Sequence, residues 1–128
     1  REVDAINVPV WEQSPLDEDG LRIELAEVTA GLEAAEGVRV LGRHDGEAVS
    51  TGGCTIVEGF TRLWGAATLE RARGRGAYRA VLAERLRASA ELGATTALVK
   101  GRISTSAPIL ERAGFRHYGD ERAYRLSV

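Results

Sequence analysis

Thr68-Leu69-Glu70-Arg71-Ala72-Arg73-Gly74-Arg75-Gly76-Ala77-Tyr78-Arg79 is the stretch on which the reading of this chain turns. An apolar, strand-like run from Leu63 to Leu69 enters it, and a helical run from Ala80 to Leu92 leaves it. A helix N-terminus carries partial positive charge, so cations are unfavourable there. Arg73, Arg75 and Arg79, with Arg71 close by, nevertheless gather at this one. The clustering makes sense if an anion sits among them. Free N–H groups at a helix start already attract anions. Gly74 and Gly76 remove side chains that would keep a phosphate from the backbone, and arginine adds bidentate contacts. The stretch therefore reads as a pyrophosphate-binding strand–loop–helix. The alternative is a solvated arginine-rich helix start whose glycines only shape a turn.

Two familiar phosphate loops do not fit. No Gly-Lys-Ser/Thr follows the glycines, as a P-loop needs, and Arg79 stands where a dinucleotide fingerprint needs its third glycine. Around the loop, the chain predicts an α/β (α+β) domain. Ile6, Val8 and Val10 alternate with Asn7 and Pro9, an extended signal, and Pro9 argues against a central strand. Trp11 is expected to anchor on the core or face substrate. Ser14-Pro15-Leu16-Asp17 resembles a helix start with Ser14 as N-cap. Leu21, Leu25, Val28 and Leu32 then share one helical face, and Gly37 closes the helix near Ala35.

Strands are expected at Val38 to Leu41, Ala48 to Val57 and Phe60 to Leu69, joined by turns at Asp45-Gly46 and Glu58-Gly59. Gly52-Gly53 marks a bulge. The helix after the loop turns Tyr78, Val81, Leu82, Leu86 and Ala90 to the core, and Gly93 ends it. Thr95 to Lys100 is a strand, which a helical crossover makes parallel to the one before the loop. A hydroxyl in Ser104-Thr105-Ser106 caps a last helix that runs to Ala113. Phe115 begins a strand, and Tyr124 to Val128 closes a final hairpin.

Composition bounds the rest. The 128 residues suit one domain with one core. A net charge of −2 and 5% aromatic residues do not suggest a nucleic-acid binder. No apolar run approaches the ~20 residues of a membrane helix, so no membrane partner is expected. The single cysteine, Cys54, cannot close an intramolecular disulfide and fits a reducing, cytoplasmic compartment. It reads as a small apolar strand residue rather than a nucleophile. Two histidines, His44 and His117, and one cysteine far apart in sequence make no metal-ligand pattern, so no metal is expected. The chain has no methionine and begins at Arg1, which reads either as a trimmed chain or as part of a longer protein.

Arg71-Ala72-Arg73-Gly74-Arg75-Gly76 resembles the acetyl-CoA signature Gln/Arg-x-x-Gly-x-Gly/Ala of the GNAT superfamily of N-acetyltransferases. It matches every fixed position, and Ala113-Gly114-Phe115 resembles the family's helix ending in Gly-Phe. The resemblance covers residues 38–128 in order, with the helix at 14–36 as the family's second helix. It implies one domain over 1–128: an N-terminal segment and helix at 1–37 and a CoA-binding core at 38–128. The family's first strand and first helix are then absent or lie before Arg1. The implied fold is a mixed, mostly antiparallel central sheet with flanking helices and a strand–glycine loop–helix acyl-CoA site.

The resemblance implies acetyl-CoA as cosubstrate, held by Thr68, Leu69, Glu70, Arg71, Arg73, Gly74, Arg75, Gly76, Ala77 and Tyr78. A backbone N–H within Thr68 to Glu70 would polarise the thioester carbonyl. An amine, on a small molecule or a peptide, would attack it directly, and a homodimer is plausible. One departure stands out. Where the family commonly places a tyrosine to protonate the leaving thiolate, this chain has Leu110. Tyr118 and Ser106 are the candidate substitutes, with Ser104, Thr105 and Tyr124 behind them. As base, only Glu58 and His44 offer themselves, and both fall in or near turns. Trp64 lines an acceptor pocket or fills the core. Two rivals to an active enzyme stand: a CoA-binding regulatory module that has lost catalysis, and the C-terminal part of a larger or tandem acetyltransferase.

Overall fold

A computed structural model of the chain describes residues 1–127. Helix α1 spans Glu2–Trp11 and α2 spans Glu18–Glu33. Strands β1 (Gly37–His44), β2 (Glu47–Val57) and β3 (Phe60–Thr68) follow as a meander. A short 3₁₀ turn, Glu70–Ala72, leads to α3 (Ala77–Glu91), β4 (Thr96–Val99) and α4 (Ser106–Arg112). The sheet order is β1-β2-β3-β4; β1–β2 and β2–β3 are antiparallel and β3–β4 is parallel. The two expected turns carry the chain as predicted: Asp45-Gly46 has φ of 49° and 81°, as does Glu58-Gly59. Both residues at positive φ is the geometry that matches strand twist in a tight hairpin.

The sheet has two unequal faces. Val38, Cys54 and Leu63 face α3 and α4, where Cys54, Leu63, Leu82 and Leu110 form a buried cluster with Tyr78, Leu86, Val99 and Phe115 packed on it. The other face carries α1 and α2. There Trp64 donates to Thr55 Oγ1 at 2.8 Å, and the Arg39 guanidinium lies 4.7 Å from the centre of its ring. Arg39 also reaches Glu24 of α2 at 3.4 Å. Trp64 is therefore pinned under α2, with Gly53 of β2 leaving space for its ring.

The N-terminal segment departs from the expectation. Residues 2–11 form a helix, not an extended segment, so two helices precede β1. The alternation of Ile6, Val8 and Val10 is outweighed by burial at helical spacing: Ile6 is fully buried and Val3, Asn7 and Val10 are half-buried. Pro9 sits in the last turn of α1, whose C-cap Glu12 takes a left-handed conformation at φ 52°. The N-cap of α2 is Asp17, not Ser14: its Oδ1 accepts from Gly20 N at 2.8 Å. The face of α2 against β1 is Leu21, Glu24, Val28 and Gly31, all half-buried, while Leu25 and Leu32 are exposed. Spacing alone cannot tell which of two adjacent apolar stripes meets the sheet.

The bulge lies across from its expected place. Thr51 pairs with Ala67 and Gly53 with Trp64, so the extra residue sits in β3 opposite Gly52. Gly65, at φ 62°, takes the turn this requires. The final hairpin does not form. Residues 115–127 hold neither helix nor strand, Tyr118, Tyr124 and Leu126 are exposed, and Val128 lies outside the described residues. A strand needs a ladder partner; the ties seen here are Phe115 packed on the core and an ion pair, Lys100–Glu121 at 2.9 Å. No helix among the described residues is long and apolar enough to cross a membrane.

Gly53 offers a direct test. A Cβ there would stand 2.5 Å from the Trp64 ring. Gly53→Ala should lower the urea-unfolding free energy by about 1–3 kcal/mol, the usual cost of overpacking; an unchanged midpoint would show that the ring moves aside freely.

Candidate functional site

The site starts from an incomplete ladder. β3 pairs with β4 only from Phe60 to Leu63, opposite Thr96 to Val99. From Trp64 to Thr68 it continues beside β2 alone, so its β4-facing edge has no strand partner. The Gly65 bulge lies at the point where β4 parts from β3, and a bulge bends the strand that carries it. An extended chain can pair with main-chain groups along such an edge.

At the end of that edge the glycine loop begins. Leu69 N donates to Val49 O at 2.9 Å, so its N–H is engaged within the sheet and is not free to polarise a carbonyl. The Thr68 and Ser50 hydroxyls share a 2.9 Å hydrogen bond, and Ser50 Oγ also donates to Ala67 O at 3.1 Å. Of the expected stretch Thr68 to Glu70, the Glu70 amide donates to no backbone carbonyl among the described residues. The free edge at Trp64 to Thr68 is the better main-chain surface; a parting of these two parallel strands is what the family resemblance implies, and the pairing fixes where it begins.

Gly74 and Gly76 both have positive φ, 75° and 81°, and no heavy atom lies within 4 Å of a Cβ built on either. The loop is thus open on the side where side chains would project. Gly76 is the N-cap of α3 and supplies no side-chain hydrogen bond; Ala80 N makes the first helical bond, to Gly76 O at 3.0 Å. The N–H groups of Ala77, Tyr78 and Arg79 precede that bond and remain available, as at any uncapped helix start.

The arginines divide into two pairs. Arg71 is held by Glu47 of β2 in a two-pronged ion pair, with one contact of 3.1 Å, and Arg73 Nε donates to Thr68 O at 3.2 Å. Arg75 and Arg79 are exposed and make no ion pair among the described residues. Two arginines therefore brace the loop and two are free to meet an anion. Hydrogen bonding to Arg71 holds the Glu47 carboxyl below the usual carboxylate range, and Arg43 does the same for Glu2. Shallow depressions flank the loop. One of about 420 Å³ is lined by Leu69, Glu70 and Arg71, and one of about 520 Å³ by Glu2, Ala5, Asp45, Gly46, Glu47 and Ala48.

The expected acid–base groups are not assembled here. Tyr118 is 91% exposed, with nothing packed on it. Ser106 is occupied: its Oγ accepts from Arg102 N at 2.9 Å. It does not cap α4, whose N-cap Thr105 also makes no side-chain bond. Leu110 is 4% exposed in the core, against Gly101, where a Cβ would meet it at 2.8 Å. His44 and Glu58 lie exposed at hairpin ends, and the β2–β3 turn that carries Glu58 is at the far end of β3 from the loop.

Tyr78, expected both as a loop contact and on the core face of α3, is half-buried and packs against the core cluster; burial raises its hydroxyl above the ordinary range and Arg85 opposes the rise. Arg85 went unrecognised in sequence because a charged residue in a helix is ordinarily solvated. It is 1% exposed, and room for it comes from Gly52, where a Cβ would stand 2.9 Å from its Cζ. The paired glycines of β2 opposite an arginine on the core face of α3 are the signal that could have found it. Ser89, 1% exposed on the same face, bonds Thr61 Oγ1 at 2.8 Å and Cys54 Sγ at 3.4 Å. Ala90, expected in the core, is exposed.

No family model matches the chain, and no curated protein matches its sequence. Solved structures do. A Trypanosoma brucei acetyltransferase is 22% identical at a TM-score of 0.71, over 100% of this chain and 95% of that one. Glucosamine-6-phosphate N-acetyltransferase from Arabidopsis thaliana is 10% identical at 0.77, over 90% and 82%. An aminoglycoside N-acetyltransferase in complex with CoA is 18% identical at 0.76, over 99% and 88%. The chain has the fold of GNAT acetyltransferases.

Burial of Cys54 at 1% exposure, in contact with Ser89, separates it from any solvent-facing chemistry. In the folded protein it should resist a thiol-specific disulfide reagent and react fully in urea. Rapid reaction of the native protein, followed by absorbance, would place the thiol in an accessible site.

Proposed function

We propose that this chain binds acetyl-CoA and transfers its acetyl group to an amine. The observation that carries the reading is the open strand–loop–helix: Gly74 and Gly76 at positive φ with clear space before them, Arg75 and Arg79 beside uncapped N–H groups, all on a GNAT acetyltransferase fold. A pyrophosphate fits this chemistry because uncapped backbone N–H groups and two exposed arginines adjoin the same loop. The β4-free edge of β3 at Trp64 to Thr68 would pair with the amide-bearing arm of the cosubstrate. Carbonyl polarisation would come from an N–H of that edge, so the transfer needs no metal. The amine must attack as its free base; of the carboxylates near the loop, Glu47 and Glu2 are held by Arg71 and Arg43, while Glu70 is exposed and makes no ion pair among the described residues.

A second reading draws support from Leu110. With hydrocarbon at the position of the usual thiolate acid, the domain could bind CoA without turnover. Thiolate can also leave into water, so an active enzyme remains the primary proposal.

Calorimetric titration with acetyl-CoA should give micromolar binding that weakens with rising salt as the arginine–phosphate attraction is screened. Gly74→Glu or Gly76→Glu, with folding checked by circular dichroism, should lower affinity at least ~10-fold by setting a carboxylate before the phosphates. Retained affinity would reject the loop as the site. Thiol release on adding amines marks the enzyme; binding without release from any amine marks the silent module.

A further inference from the structure

Trp11 ends α1 with its ring 42% exposed, and the Arg102 guanidinium lies over that ring, 5.5 Å from its centre. The two residues stand on opposite sides of the gap between β3 and β4. α1 packs against β2 and β3, and its first turn is held to β1 by the two-pronged Glu2–Arg43 pair at 2.8 Å. Arg102 belongs to the other side, three residues past Val99, which ends β4 and pairs with Leu63. Three residues reach about 11 Å at most, so Arg102 stays near the point where β4 parts from β3. The stack therefore joins the helix that covers β3 to the chain that leaves β4, across the gap that opens at Trp64.

The backbone at Arg102 is fixed. Its N–H donates to Ser106 Oγ at 2.9 Å, and its carbonyl accepts from Thr105 N at 3.2 Å and Ala107 N at 2.9 Å. Lys100, two residues earlier, is paired with Glu121. The Arg102 side chain, by contrast, is exposed and makes no ion pair among the described residues. Stacking on an aromatic face orients a guanidinium and leaves its in-plane N–H groups free for a carboxylate or phosphate. A donor fork already oriented loses less freedom when it binds.

Resting on the acetyltransferase reading, we infer that Arg102, held over Trp11, selects an acceptor amine that also carries an oxyanion, a carboxylate or a phosphate. The oxyanion pairs with the guanidinium at the mouth of the gap. The amine, a few bonds away on the same small molecule, reaches the free edge of β3. An amine without the oxyanion leaves Arg102 unmatched and is held less well.

Three amines of similar length test this: β-alanine, 2-aminoethyl phosphate and propylamine. Thiol release at saturating acetyl-CoA gives kcat/KM for each. At least one oxyanionic amine should exceed propylamine by about 10–100-fold, the scale of a charge-assisted hydrogen-bonded pair; which one does so separates carboxylate from phosphate. Arg102→Gln should bring that ratio near one, through KM rather than kcat. Trp11→Leu removes the platform and keeps the charge, and should lower the ratio by a smaller factor. If none of the three is turned over, quenching of tryptophan fluorescence in the CoA-saturated protein reads their binding, with the same order expected and the same loss in Arg102→Gln. An equal response to propylamine, a ratio unmoved in Arg102→Gln, or no response to any of the three overturns the role of Arg102 and leaves the transferase reading standing. A parallel loss of acetyl-CoA affinity in Arg102→Gln would place the residue in the cofactor site and overturn it too. Failure of the unaltered protein to bind acetyl-CoA removes the transferase reading and this role together.

Discussion

β3 is paired on both edges only as far as Leu63, and the site depends on that limit. Had β4 continued beside it, the main-chain groups from Trp64 to Thr68 would be spent in the sheet. Instead β4 is four residues long and the chain turns away at Lys100. The extra residue in β3 at Gly65 bends the strand where the partner leaves. The freed edge runs straight into the glycine loop, so an extended ligand arm and its phosphates would meet one continuous backbone. The cost of leaving such an edge unpaired is tolerable in solvent and severe in a core, which is consistent with a ligand-facing position.

The second constraint is the contact between α3 and the sheet. Gly42, Gly52 and Gly53 leave no side chains where Val81, Arg85 and Trp64 press against β1 and β2 from the two faces. A helix can therefore lie close over these strands. That closeness holds the N-terminus of α3 at the end of β3, where Arg71 and Arg73 brace the loop against Glu47 and Thr68. An exposed ion pair such as Arg71–Glu47 contributes little to stability. The effect of the two contacts here is geometric: they engage Arg71 and Arg73 and leave Arg75 and Arg79 exposed and without an ion pair among the described residues.

The distribution of acid and base groups follows from the same packing. Leu110 fills the space that Gly101 leaves and joins the core with Leu63 and Leu82. Ser106 satisfies the Arg102 amide, and Tyr118 stands in solvent. Tyr78 packs against the same core, and Arg85 is buried on the same helix.

The sequence by itself determined the features that rest on local chemistry. Asp45-Gly46 and Glu58-Gly59 specify tight hairpins because their φ values favour those residues; Gly74 and Gly76 specify an open loop; a strand–helix–strand run specifies a parallel crossover. These are short-range constraints, and they sufficed for the fold class and the loop. Tertiary structure decided whatever depends on what lies opposite. Residues 2–11 became a helix because one side of it is covered by the sheet. Arg85 was buried because Gly52 left it room. Residues 115–127 stayed irregular because no ladder received them. A residue's type sets its local preference, but its burial and its hydrogen-bond partners are properties of the surface that meets it.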